Sequence, residues 1–230
     1  MYIEKKIIKA QFINRPNRFK AYVKLNGEEI MVHVPNTGRC REILTPNCTV
    51  LLRKEDNPSR KTQYDLIAGY KGDKLINIDS QAPNAVVDEA LKQGKIEKLR
   101  KYKNIQREKT FGSSRFDFKL TDDEGNEYFL EVKGVTLEMD GKTMFPDAPT
   151  ERGAKHMAEL GKALKEGKGA GVLFLIQMSG AESFSPNDVT DKNFSETLRF
   201  VNEQGIDVFA YECIVTENSI TLNKKVPVVL

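Results

Sequence analysis

Three side chains of this sequence are of the right types and spacing to do chemistry together: Asp117, Glu131 and Lys133. Residues 115–120 and 128–135 read as two strands, joined by the loop Asp123-Glu124-Gly125. A three-residue hairpin loop needs a left-handed residue at its end, and Gly125 supplies one. That register sets Asp122 against Asn126 and Asp117 directly opposite Glu131, where facing Cβ atoms are roughly 4.5–5.5 Å apart. The two-residue period of a strand then puts Phe116, Phe118 and Leu120 on one side with Tyr128, Leu130 and Val132. Asp117 falls on the other side with Glu131 and Lys133. Adjacent carboxylates repel each other unless a proton or a cation holds them together. Hard oxygen ligands suit Mg²⁺, with Mn²⁺ as a substitute. Such an ion can acidify a water and neutralise phosphoryl charge. Lys133, on the same face, is placed to orient that water or to stabilise the developing charge. Glu89, on the helix before the hairpin, is a candidate for a further metal contact. An Asp followed by Glu-x-Lys is also what an exposed ion pair on a strand looks like, so the context decides.

The elements that must hold these residues fall into two groups, residues 1–82 and 83–230. In the first group, Phe19, Ala21, Val23 and Leu25 alternate with polar neighbours, Asn26-Gly27 follows, and Ile30, Val32 and Val34 alternate again, which is a strong hairpin signal. With strands expected near residues 3–12, 49–54, 64–70 and 74–78, five or six strands fit a small barrel of the OB type. In the second group, Pro83-Asn84 marks a boundary and Val86, Val87, Ala90 and Leu91 recur at helical spacing up to Gly94. Residues 92–109 are a basic segment, read either as a solvated helical face or as a phosphate-contacting one. After the hairpin come a long loop with Gly141, Pro146 and Pro149, a helix over 150–166, an apolar strand over 172–177, a helix over 195–204 and a last strand over 207–215. This order predicts an α/β (α+β) fold whose second half is a mixed sheet with helices on its faces.

Charge is unevenly divided. Residues 1–109 hold 23 Lys+Arg and 13 Asp+Glu, a net of +10; the remainder carries −7, returning the overall +3. A basic half suggests a polyanionic partner. Arg15, Arg18, Arg39, Arg41, Arg60 and Lys61 lie at expected strand ends and loops of the barrel, where each is a candidate phosphate contact. Phe19, Tyr22 and Tyr64 are weighed as base-stacking groups, with a core role as the plainer reading. Arg152 and His156, one turn apart on the helix after the hairpin, are candidates to face the metal and hold the scissile phosphate.

The constellation resembles the PD-(D/E)xK nuclease superfamily, with Asp117, Glu131-Val132-Lys133 and Glu89 at its positions. Phe116 replaces the proline that names the motif, a departure that leaves the metal chemistry intact because proline ligates nothing. A closer resemblance covers nearly the whole chain. Arg15-Pro16-Asn17-Arg18-Phe19, Pro35-Asn36-Thr37-Gly38-Arg39, Arg60-Lys61-Thr62, Ser114-Arg115-Phe116-Asp117-Phe118, Glu131-Val132-Lys133 and Phe145-Pro146-Asp147-Ala148-Pro149-Thr150 together resemble the sugar fermentation stimulation protein A family. That resemblance implies DNA binding, an N-terminal OB-like domain and a C-terminal nuclease-like domain.

The expected function is therefore a Mg²⁺-dependent phosphodiesterase acting on DNA, single- or double-stranded and without sequence specificity. A second reading is a DNA-binding regulator of sugar fermentation genes that keeps the nuclease fold without cutting. RNA is a third, less favoured ligand. No zinc spacing joins Cys40, Cys48 and Cys213, and no Walker loop, dinucleotide fingerprint or Gly-x-Ser-x-Gly occurs. Three cysteines without a disulfide framework and no apolar membrane-length run lead to the expectation of a cytoplasmic protein that meets no membrane.

Overall fold

The computed structural model describes all 230 residues. The first six strands, β1 (Ile7–Asn17), β2 (Lys20–Leu25), β3 (Glu28–His33), β4 (Thr49–Lys54), β5 (Tyr64–Lys71) and β6 (Lys74–Asn77), form one sheet in the order β3-β2-β1-β4-β5-β6. A parallel bridge between His33 and Asp65 ties β3 to β5 and closes the sheet into a barrel. The β2–β3 hairpin turns at Asn26-Gly27, both with positive φ, and pairs Leu25 with Glu28. This is the primed turn whose twist matches the flanking strands. The alternation then buries Ala21, Val23 and Val32 inside the barrel.

The second half opens with α1 (Ala82–Lys92), which starts three residues earlier than the apolar spacing suggests because Pro83 sits in its first turn, where its fixed φ suits the helix. Next come β7 (Tyr102–Phe111), β8 (Ser114–Asp122), β9 (Glu127–Val135), β10 (Leu137–Met139) and β11 (Lys142–Phe145). They are followed by α2 (Glu151–Lys165), β12 (Gly169–Ile176), β13 (Ser183–Pro186), α3 (Lys192–Glu203), β14 (Asp207–Thr216) and β15 (Ser219–Lys225). The main sheet runs β15-β14-β12-β9-β8-β7, with β9, β12 and β14 parallel and both flanks antiparallel. It is a mixed sheet with helices on both faces, as the order of elements predicts. α1 covers one face through Val86, Val87 and Ala90, and α2 with α3 covers the other.

One hydrophobic core joins the two halves. It takes in the barrel side chains Val23, Val32 and Val50 together with Phe116, Met157 and Phe174 from the α2 side of the sheet. Polar contacts cross the same boundary: Asn77 N–H donates to the Gln177 carbonyl, and Gln177 Nε2 donates to Asn77 Oδ1 at 2.7 Å.

The sequence reading requires three corrections here. The basic segment 92–109 is neither helix nor free loop, because after a short turn at Glu97–Leu99 its remainder is the edge strand β7. An edge strand buries little, so Tyr102, Ile105 and Phe111 are all the apolar signal it carries. The long loop after β9 holds the small strands β10 and β11, and the chain continues past β14 into β15. Finally, Phe116 does not share a face with Phe118. It packs with Phe129 against α2, while Phe118 packs with Leu130 under α1. The cause is a kink. Ladder pairing runs Arg107↔Phe118 and Lys109↔Phe116 but skips the rung between Glu108 and Asp117, and Glu108 has a positive φ of 53°. A non-glycine residue in that region marks a strained position. Both strands change face at this rung.

Candidate active site

The kink explains where Asp117 goes. The hairpin loop behaves as the sequence demands, with Gly125 at φ 83° and Asp122 N–H bonded to the Asn126 carbonyl at 3.1 Å. Paired rungs run from Thr121↔Glu127 to Phe118↔Leu130, and the next rung, Asp117 with Glu131, is where β8 and β9 part. Asp117 fills the gap: its Oδ2 accepts from the Val132 backbone N–H at 2.7 Å. Its Oδ1 accepts from Asn84 Nδ2, also at 2.7 Å, in the first turn of α1.

Glu131 and Lys133 stand on the α2 face of β9, as the two-residue period places them, whereas Asp117, expected on that same face, is bonded to Asn84 of α1, the helix on the other face. Glu131 Oε1 receives Lys133 Nζ at 2.6 Å and His156 Nδ1 at 2.5 Å. Arg152 Nε approaches His156 Nε2 at 3.4 Å as donor, which leaves the ring proton on Nδ1, facing Glu131. Glu131 Oε2 is buried and has no hydrogen-bond partner. Buried carboxylate oxygens without partners are rare and require an explanation.

The electrostatics of the two acids diverge. Burial, and then the Glu131 charge, push the Asp117 carboxyl up to about 6, against the weaker pull of the Val132 N–H and Asn84. Burial also works on Glu131, but the His156 hydrogen bond and the Lys133 ammonium outweigh it and hold that carboxyl below the ordinary range. The pair thus consists of a firm carboxylate and a second acid that ionises reluctantly. The donor set offers a hard divalent cation one free ligand atom, the unpartnered Glu131 oxygen, beside an Asp117 whose charge is unfavourable alone and whose two oxygens accept from Val132 and Asn84. Carboxylate oxygens are the usual ligands of such a cation.

Several expected residues lie elsewhere. Glu89 does not join the site. It sits beyond the first turn of α1 and pairs with the amino group of Met1 at 2.5 Å, and Asn84, which carries no charge to draw attention to it, meets Asp117 instead. His156 is buried, and its Nδ1 is bonded to Glu131. Arg152 is exposed beside it. Arg15 is bound to the protein itself, donating to the carbonyls of Arg18, Asn36, Gly38 and Arg39 at 2.7–2.9 Å. Arg60 is likewise paired with Asp65 and Glu55. Arg18, Arg39, Arg41 and Lys61 remain available; Arg18 lies over the ring of Phe19, which is half exposed, while Tyr22 and Tyr64 are partly buried.

The Arg15 arrangement carries its own expectation. Lysine cannot reproduce a fork of donors aimed at four carbonyls. Arg15→Lys is expected to lower the unfolding free energy by about 2 kcal/mol, since charge-assisted bonds contribute roughly 1.5–3 kcal/mol each. Urea unfolding checks this, and an unchanged midpoint would reduce Arg15 to a surface residue.

Arg15, Arg18, Arg39 and Arg41 line a groove on the barrel. It shares Arg18, Thr37 and Gly38 with a cavity of about 290 Å³ that reaches Gly134 and Thr136, just past Lys133, and Thr150, the cap of α2. Asp147 fastens the wall between them by accepting the Arg39 backbone N–H at 2.8 Å. A basic approach from the barrel thus leads to the end of β9 at Gly134, the residue after Lys133.

Comparison with known proteins agrees with this layout. The family model described as "SfsA N-terminal OB domain" matches residues 13–78, and that described as "Sugar fermentation stimulation protein RE domain" matches residues 81–219. A sugar fermentation stimulation protein homolog from Clostridium tetani is 65% identical over the whole of both chains. Another, from Clostridium botulinum strain Loch Maree, is 64% identical over 99% of each. The structure of Pyrococcus furiosus SfsA in complex with Ca²⁺ superposes with a TM-score of 0.90 at 25% identity, covering 100% of both chains. No helix here is long and apolar enough to cross a membrane.

Proposed function

Because the chain belongs to the sugar fermentation stimulation protein family, with an OB barrel followed by a nuclease-like sheet, we propose that it binds DNA along the barrel groove and hydrolyses a phosphodiester at Asp117, Glu131 and Lys133. The observation that carries this reading is the unpartnered Glu131 Oε2 beside an Asp117 that ionises reluctantly, a pair that calls for a cation. Asp117 and Glu131 would hold Mg²⁺ or Mn²⁺, which would acidify water and offset phosphoryl charge. The Ca²⁺ bound by the Pyrococcus furiosus relative is in keeping with a divalent ion in this family.

The chain's own groups supply the rest. Lys133 presents an ammonium where negative charge develops on the phosphoryl oxygens, and can orient the attacking water. His156, held from behind by Arg152, keeps Glu131 ionised and fixes its Oε1, leaving Oε2 free. Arg18, Arg39, Arg41 and Lys61 are the phosphate contacts on the barrel. Exposed Arg107 and Lys109 flank the kink opposite Asp117 on β7 and extend the basic track to the sheet edge. Phosphate contacts position DNA without reading its sequence.

The test is cleavage of end-labelled single- and double-stranded DNA by the full chain, with Mg²⁺, with Mn²⁺ and with EDTA. Cleavage confined to the metal lanes is expected. Binding without cleavage in any lane would favour the alternative of a non-catalytic DNA-binding regulator, and tighter binding of matched RNA would replace DNA as the ligand. Affinity for duplex DNA is expected to fall with salt at a log–log slope of about −0.9 per phosphate contact. A salt-independent affinity would remove the groove from the proposal.

A further inference from the structure

The 290 Å³ cavity that reaches Gly134, the residue after Lys133, is more specifically built than a gap between domains. It lies where the C-terminal ends of the parallel strands β9 and β12 meet the barrel, and polar side chains, among them Asn36, Asp147 and Gln177, share its lining with Phe145, Pro146 and Pro149. Gln177 forms part of the wall and is 1% exposed. Its Nε2 donates to Asn77 Oδ1 at 2.7 Å and to the Asp79 carbonyl at 3.2 Å. Asn77 Oδ1 also accepts the Asp79 N–H at 3.1 Å, which fixes it as the oxygen. Both partners of Nε2 are therefore acceptors, and the Gln177 amide cannot be turned over. Its Oε1 takes no hydrogen bond from the protein. The neighbouring wall at Gly134 has no side chain, and a Cβ there would collide with Oε1.

A second acceptor is held the same way. Asp147 gives Oδ2 to the Arg39 N–H, and its Oδ1 takes no hydrogen bond from the protein. Gly38 again leaves the space, since a Cβ there would strike the Asp147 carboxylate. A partly exposed aromatic ring, Phe145, lies in the lining, braced by Phe174 and Phe194 at centroid distances of 5.6 and 5.1 Å. The cavity thus combines two fixed acceptors, a ring and a mouth at Thr37 and Ala148 that opens on the basic groove.

Resting on the DNA reading above, we propose that this cavity receives a single unpaired nucleobase, and that it favours a base with an exocyclic amino group. A duplex cannot enter a space of this size, whereas one unstacked base can. Its amino group would face Gln177 Oε1 and Asp147 Oδ1, and its ring would lie against Phe145. A base offering a carbonyl in that place would set acceptor against acceptor, leaving buried polar groups unpaired. Extruding a base is easiest where it is already unpaired. The substrate class is therefore DNA with a bulged or single-stranded nucleotide next to the phosphodiester to be cut.

The experiment is equilibrium binding of the full chain to three duplexes with Ca²⁺ in place of Mg²⁺: fully paired, with one bulged adenine, and with one bulged thymine. The bulged-adenine duplex is expected to bind at least about tenfold tighter than the bulged-thymine duplex, as the loss of one buried hydrogen bond implies, and tighter still than the paired one. Thr37→Trp, which fills the mouth, is expected to bring all three to the affinity of the paired duplex. Ala148→Trp repeats the test from the opposite side should the first variant melt early. Equal binding of the three duplexes by the unaltered chain, or a preference that survives both tryptophans, overturns the pocket while leaving the DNA reading in place. No binding to any duplex overturns both.

Discussion

Lys133→Ala is expected to slow metal-dependent DNA cleavage by at least about a hundredfold, the range typical of a lost charge stabiliser or proton-transfer partner. The ammonium touches Glu131 Oε1, but His156 holds the same oxygen from the other side, so Glu131 stays in place when the lysine is removed. The loss should therefore appear in the chemical step. Single-turnover cleavage by wild type and Lys133→Ala, at matched DNA saturation and with excess Mg²⁺, separates the two. Equal single-turnover rates would show that Lys133 is only an ion-pair partner. His156→Asn is expected to do less, since Lys133 still contacts Glu131, and its effect should shrink as Mg²⁺ is raised.

The second large effect concerns stability. The Asp117 carboxyl titrates near 6 in the folded chain against an ordinary value of 3.8, because it is buried beside Glu131. The folded state consequently holds a proton that the unfolded state has released, and the apo protein should lose stability as pH rises from about 4 to about 6. Above that window the full cost, about 3 kcal/mol at 1.36 kcal/mol per pK unit, is present. Asp117→Asn removes the charge while keeping an acceptor for the Val132 N–H, so this variant is expected to be more stable than wild type at pH 7.5 and no more stable at pH 4. Divalent cation should reverse the ranking. It should raise the Tm of wild type more at pH 7.5 than at pH 5, and should leave the Tm of the asparagine variant unmoved. A cation shift retained by Asp117→Asn would place the metal elsewhere. A site that destabilises its own fold until loaded is the usual cost of activity.

The parts of this architecture that could be read from the sequence are those governed by local rules. Asn26-Gly27 specified the barrel hairpin and Gly125 the β8–β9 register from Thr121↔Glu127 as far as Phe118↔Leu130, because turn chemistry and the two-residue period act within a few residues. Thr150 and the stripe through Met157 located α2 for the same reason. What escaped depends on distant partners. β7 has the composition of a solvated segment because it pairs on one edge alone, with β8, and its lysines face water. The kink at Glu108 has no local signal, and without it the two-residue period places Phe116 with Phe118. Glu89 was a reasonable acid on the correct helix, yet only the packing of α1 decides that Asn84 is the residue turned toward Asp117. The same holds for Arg15, whose sequence neighbours resemble a phosphate-binding loop but whose guanidinium closes that loop on itself.

The core that runs unbroken from Val23 in the barrel to Phe174 in the sheet bears on heredity as well as on folding. Modules strung on a linker can be shuffled, swapped or lost one at a time. Here each half supplies part of the other's interior, so a gene cut between β6 and α1 would yield two fragments with raw apolar faces and neither would be a working remnant. Selection must keep or discard the barrel and the sheet as one piece.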